Sequence, residues 1–189
     1  MIKLIAIGAS TGGTDAIIEV VKGLPADCPP VVIVQHMPDM FTSIYAERLS
    51  KVCKMRVKEA DDGDRLEKGM IVTARADRQL RVISDGDRFY LQVGTGEKVS
   101  GHCPSVDVLF QSVAKLGEKD TVGVLLTGMG KDGAQGLLEM KQAGCTTVAQ
   151  DKESCVVYGM PRAAYELGAV DVQAPPEEIF ILLSGLING

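Results

Sequence analysis

The chain is 189 residues long, 46% hydrophobic and 24% charged, with a formal net charge of −5 at pH 7. This length and balance suit one folded domain with a full core and exclude a disordered chain. An acidic balance without long runs of like charge leaves no electrostatic footprint for nucleic acid, and no apolar stretch is long enough for membrane insertion.

The first apolar run, Ile2 to Ile7, predicts a buried strand, after which Ala16, Ile17, Val20, Val21 and Leu24 recur at helical spacing. A breaker segment, Pro25 to Pro30, precedes a second buried strand at Val31 to Val34. Phe41, Ile44, Tyr45, Leu49 and Val52 then fit a second helix. In the middle, Ile71 to Ala74, Gln79 to Ser84 and Arg88 to Val93 read as short strands, with a hairpin signal at Asp85-Gly86-Asp87. Pro104-Ser105 starts a helical stripe of Val106, Leu109, Phe110, Val113 and Leu116. Val122 to Leu126 and Thr146 to Ala149 are two further strands, with a helix around Leu137, Leu138 and Met140 between them. Pro161 opens another helix at its first turn, and a last helix runs from Pro176 to about Leu186. Continuous Val/Ile/Leu runs with helices between them predict an α/β fold: a doubly wound, mostly parallel sheet with helices on both faces. An antiparallel hairpin would extend or flank that sheet, all within a single domain over 1–189.

Cys28, Cys53, Cys103, Cys145 and Cys155 never form a C-x-x-C pair, and an odd number without a framework reads as reduced thiols in a cytoplasm. Met1 leads into the first strand within two residues, which leaves no room for a basic secretory n-region. His36 and His102 are the only histidines, and neither has a metal-ligand spacing to another His or a Cys pair, so no metal or cofactor is expected. His102, following Gly101, reads as a solvated loop residue away from the parallel strand ends.

In an open parallel sheet, ligands bind beyond the carboxyl ends of the strands. The polar residues just past those ends are therefore the candidates. They are Ser10 after the first strand, Gln35-His36 after the second, Gly128 to Gly133 with Asp132 after the third long one, and Gln150-Asp151 after the next. A serine, a histidine and a carboxylate on one sheet edge are what nucleophilic acyl transfer needs: the hydroxyl is a weak nucleophile, a base takes its proton, and the carboxylate holds the imidazole. Gly8-Ala9-Ser10-Thr11-Gly12 satisfies G-x-S-x-G between a strand and a helix, where the following N–H groups can stabilise an oxyanion. Plainer readings exist for each residue. Ser10, Thr11 or Thr14 would serve as a helix N-cap, His36 as a structural histidine, and Asp132-Gly133 as a turn. A phosphate cradle is disfavoured because G-x-G-x-x-G is absent and Thr14 stands where a P-loop needs lysine. The chain order Ser10, His36, Asp132 matches none of the α/β-hydrolase, chymotrypsin or subtilisin orders.

The segments IGASTGGTDAI, VVIVQHMPDMF, EADDGDRLEKG, PSVDVLFQSVA, LLTGMGKDGAQGL and AQDKESCVVYGMPRAA, in this order, resemble the catalytic domain of the bacterial chemotaxis protein-glutamate methylesterase family, CheB. The resemblance covers essentially the whole chain. It implies hydrolysis of glutamate γ-methyl esters on the cytoplasmic helices of chemoreceptors, releasing methanol, and deamidation of receptor glutamines. By motif it makes Ser10 the nucleophile, His36 the base, Asp132 the orienting carboxylate, and the backbone N–H groups near Thr11 and Met129 the oxyanion hole. It also implies a monomer. Two departures stand out. No receiver domain precedes the first strand here, so a receiver would act in cis in a longer protein or in trans. Ala74-Arg75-Ala76-Asp77-Arg78-Gln79 lacks the proline and histidine of the family's A-P-G-x-x-H-like segment. The competing expectation is a non-catalytic receptor- or anion-binding module on the same scaffold.

Overall fold

The computed structural model describes all residues, 1–189. In chain order its elements are β1 (Leu4–Ala9), α1 (Gly13–Val21), β2 (Val31–Gln35), α2 (Asp39–Val52), β3 (Arg56–Glu59), β4 (Met70–Thr73), β5 (Gln79–Asp85), β6 (Arg88–Gly94), α3 (Val106–Lys115), β7 (Thr121–Leu125), α4 (Ala134–Gln142), β8 (Thr146–Gln150), α5 (Met160–Glu166), β9 (Val172–Ala174) and α6 (Pro176–Asn188). Seven strands form one sheet in the order β3-β4-β2-β1-β7-β8-β9, and every neighbouring pair is parallel.

The continuous apolar runs follow from burial on both faces of this sheet. Along β1, Leu4 and Ala6 face one core while Ile5, Ile7 and Ala9 face the other. The first core is closed by α3, α4 and α5 through residues such as Phe110, Leu137 and Met160. The second is closed by α1, α2 and α6 through Ile17, Leu49 and Leu183. The expected doubly wound α/β architecture is thus present, with three helices on each face.

The hairpin β5–β6 is a separate two-stranded sheet that flanks the main one instead of extending it. Its Leu80, Val82 and Leu91 pack into the α3 side of the core. The run at Ile71 to Ala74, by contrast, is β4 of the main sheet. The two outermost strands, β3 and β9, were not expected from the sequence. The chain leaves β1 by way of α1 on one face and β7 by way of α4 on the other, although β1 and β7 are neighbours. The loops after these strands therefore diverge, and a crevice opens at this switch point, beyond the strand ends.

Candidate active site

Ser10 lies in that crevice, one residue past β1. Its N–H donates to the Thr127 carbonyl at 2.9 Å, which ties the turn to the end of β7, and its own carbonyl accepts from the Gly13 N–H at 2.8 Å. Helix α1 starts behind it with Gly12 as N-cap at φ 80°, and no side chain caps the helix. The cap reading of Ser10, Thr11 and Thr14 is therefore wrong, and the Ser10 hydroxyl is not engaged in that role.

The register of β1 against β2 pairs Ala9 with Gln35, so His36 lies beside Ser10, and the His36 N–H donates to the Ala9 carbonyl at 3.1 Å. Asp132 arrives from the loop after β7. His36 Nε2 lies 2.7 Å from Asp132 Oδ2, with the two side chains 9% and 0% exposed. Because Nε2 is committed to the carboxylate as donor, Nδ1 carries the free lone pair. That Nδ1 is buried and has no hydrogen-bond partner. The ring nitrogens are thus used in the opposite sense to the chymotrypsin arrangement, in which Nδ1–H faces the carboxylate. His36 Nδ1 makes no hydrogen bond to the Ser10 hydroxyl here, and catalytic hydrogen bonds are often long in unliganded sites and tighten only with substrate.

Asp132 is held by far more than the histidine. Oδ1 accepts from the Ser105 hydroxyl at 2.7 Å and the Asp107 N–H at 2.9 Å, and Oδ2 accepts from the Val106 N–H at 2.8 Å. These donors are the first residues of α3, so the carboxylate sits on that helix's N-terminus, where orphan N–H groups and the helix dipole favour an anion. Burial works against the charge. The bonds from His36, the Asp107 N–H, Ser105 and the Val106 N–H outweigh it and hold the Asp132 carboxyl below the usual carboxylate range. Asp107 behaves oppositely: burial pushes its carboxyl up, and the Asp132 charge adds to this despite bonds from the Gly136 N–H and Ser100. The simple-turn reading of Asp132-Gly133 does not account for this network.

Among the backbone N–H groups near Ser10 that have no protein acceptor are those of Thr11 and Met129. Their directions follow from the carbonyl of the preceding residue, since C=O and N–H point oppositely across a trans peptide. The Ser10 carbonyl is pinned by the Gly13 N–H and by Gln35 Nε2 at 2.8 Å. The Gly128 carbonyl is pinned by the N–H groups of Gly159 and Met160 at 3.1 and 2.8 Å. Both unpaired N–H groups are therefore fixed, pointing away from those anchors.

His102 is not where the sequence suggested. Its ring stacks on His36, with centroids 3.7 Å apart and an interplanar angle of 7°. A tight turn brings it there from the segment after β6, a long-range placement that loop composition alone does not reveal. Ser105 and Gln79 are likewise site-building residues that no motif announced, whereas Gln35, already a candidate past the end of β2, is the side chain that anchors the Ser10 carbonyl. The 74–79 segment also contributes. Gln79 Nε2 donates to the His102 carbonyl at 3.2 Å, while Arg75 turns back to Glu59 and Asp61 at 3.0 and 2.9 Å. No group of three or more His, Cys, Asp or Glu is arranged to hold a metal ion.

Similarity to known proteins extends over nearly the whole chain. The CheB methylesterase family model matches residues 5–183. A protein-glutamate methylesterase/protein-glutamine glutaminase of Sulfurimonas denitrificans is 51% identical over 186 residues, 98% of this chain and 53% of that protein. A second protein of that name, from Syntrophomonas wolfei, is 52% identical over 185 residues, 98% of this chain and 54% of the relative. The chain thus spans about half the length of the curated relatives it matches. The crystal structure of the Thermotoga maritima CheB methylesterase catalytic domain superposes with a TM-score of 0.95 at 36% identity, covering 99% of this chain and 100% of that one. A match across nearly the whole length, on a fold that gathers Ser10, His36 and Asp132 at one switch point, settles the kinship: the chain belongs to the CheB methylesterase family.

Proposed function

We propose that the chain, as a catalytic domain over 1–189, is a serine hydrolase that demethylates glutamate γ-methyl esters of chemoreceptor cytoplasmic helices and deamidates receptor glutamines. The observation that carries this reading is the buried 2.7 Å His36–Asp132 pair beside a serine on a strand-to-helix turn. The names of the relatives supply the substrate class.

In this reaction His36 Nδ1 takes the Ser10 hydroxyl proton as Oγ attacks the γ-carbonyl carbon. The oxyanion formed is met by the N–H groups of Thr11 and Met129. His36 then gives its proton to the departing methoxide, methanol leaves, and an acyl-Ser10 ester remains. Water attacks that ester with His36 again as base, which regenerates Ser10 and frees the glutamate. With a glutamine side chain the leaving group is ammonia and the remaining steps are identical. Asp132 stays ionised throughout and stabilises the imidazolium.

A protein substrate suits the rim of the crevice, where Met129 and Val156 are 68% and 70% exposed beside the serine turn. No helix is long and apolar enough to cross a membrane. The reading includes a cytoplasmic monomer and regulation by a receiver domain in cis or in trans.

Ser10→Ala is expected to abolish methanol release from a methylated receptor fragment while far-UV circular dichroism and melting temperature stay near the parent values. Undiminished turnover by that variant would sink the assignment.

A further inference from the structure

One hydrogen bond at an imidazole edge fixes where Nε2 lies but leaves the ring free to tilt, because the torsion to an sp² ring is broad. His36 has such a bond to Asp132, and its remaining nitrogen has no partner. The open face of the ring is where His102 lies, parallel and 3.7 Å away. Resting on the serine-hydrolase reading above, we propose that His102 is a positioning residue for the base: its ring covers the face of His36 and fixes the plane in which Nε2 reaches Asp132 and Nδ1 takes the Ser10 proton.

His102 is itself held from both sides. Val99 and His102 exchange backbone hydrogen bonds at 2.9 and 3.0 Å around Ser100 and Gly101, whose φ angles are 52° and 82°. That is the two-residue hairpin turn with both central residues left-handed, the tightest way to reverse a chain. Glycine adopts this backbone freely, whereas Ser100 is retained there by its hydroxyl, which donates to Asp107 Oδ2 at 2.9 Å. Gln79 then bridges the turn to α3: Nε2 donates to the His102 carbonyl and Oε1 accepts the Ser105 N–H at 2.9 Å. The N-terminus of α3 therefore sets both neighbours of the base, Asp132 at its edge and His102 on its face.

A neutral stacked ring is compatible with the reaction. It presents a π face to the imidazolium that forms when His36 takes a proton, whereas a second charge at this spacing would repel it. Burial, then the charge of His36, lowers the His102 pKa from its ordinary value; Lys98 adds to this and Asp132 opposes it. Burial, with the His36 charge second, therefore favours a neutral His102.

The test compares the parent chain with His102→Ala and His102→Phe. Methanol release from a methylated receptor fragment gives kcat and KM. The downfield proton resonance of His36 Nε2–H reports the bond to Asp132 without any substrate. His102→Ala is expected to lower kcat about 10- to 100-fold, the scale of a slightly misplaced catalytic group, with KM changed less than about 3-fold. Its downfield resonance should be lost to exchange with water. His102→Phe restores a flat ring without a titratable nitrogen, and should recover both kcat and the resonance. Should His102→Ala fail to fold, His102→Leu fills the volume without a flat face and is expected to show the same two losses. Parent-like kcat and resonance in the Ala or Leu variant would overturn the proposal, as would a Phe variant that recovers neither. A parent chain that releases no methanol would count against the hydrolase reading alone, since the resonance comparison would still decide whether His102 orders His36.

Discussion

At Gly128 the backbone approaches the serine turn more closely than any side chain would permit. A Cβ added there would lie 2.7 Å from Ser10 Cβ, 3.1 Å from Ser10 N and 2.4 Å from Met160 Sδ. The methionine end can swing aside, but the two Ser10 atoms belong to or adjoin the backbone. Gly128→Ala therefore has to separate Ser10 from the Met129 N–H by tenths of an ångström. We expect a loss of about 100-fold in kcat/KM for methanol release, and a destabilisation of about 1–3 kcal/mol by urea unfolding. Gly94→Ala is the matched control, because nothing lies within 4 Å of its added Cβ; it should leave both measurements unchanged. Residues of this kind also mark the limit of reading the site from sequence. The gathering of Ser10, His36 and Asp132 at one sheet edge was legible because each follows a recognisable strand end, and that position has the same meaning in every open parallel sheet. His102 and Gln79 were not, since their parts depend on a turn and a hairpin folding back over α3, contacts that no local pattern encodes.

Among the elements, α3 carries the most of the site without supplying a reacting group. Ser105 is its N-cap, accepting from the Val108 N–H at 3.4 Å while its hydroxyl donates to Asp132 at 2.7 Å. One hydroxyl thus couples the stability of the helix to the placement of the carboxylate. Ser105→Ala should cost about 1–2 kcal/mol from the lost cap and the lost bond to a buried charge. It should also lower kcat about 10-fold as Asp132 loosens, the scale typical of supporting hydrogen bonds around a site. A change in urea midpoint with no change in kcat would show that the Val106 and Asp107 N–H groups hold Asp132 unaided. The helix itself was legible, because its apolar stripe recurs at helical spacing behind Pro104-Ser105. The edge strands were not. Arg56-Val57-Lys58-Glu59 is short and charged, as edge strands are when they avoid further pairing, and β9 has only three residues. Neither has the alternation or the apolar run that identifies a strand from sequence. Both are defined by the neighbour they pair with.

For the molecule as a whole, the sheet divides the interior into two apolar clusters that share strands β1, β2, β4 and β7. Cys28 lies fully buried in the cluster under α1, α2 and α6, and Cys145, 4% exposed, in the one under α3, α4 and α5. Burial pushes the Cys28 thiol up to about 12, with Asp27 adding to the effect, and burial also raises the Cys145 thiol. Since the thiolate is the reactive form, both should resist alkylation while the fold is intact. Neither cluster can open alone, because successive residues of β1, such as Leu4 and Ile5, belong to opposite faces and a strand that leaves the sheet exposes both. Brief alkylation at increasing urea, with the modified peptides measured by mass spectrometry, should therefore label Cys28 and Cys145 at one common midpoint. That midpoint should coincide with loss of the far-UV signal and of methanol release. Labelling of one cysteine at a urea concentration that leaves the other protected would show that the two faces unfold separately. The shared strands would then be insufficient to couple them, and the switch-point crevice would sit between two units that unfold independently.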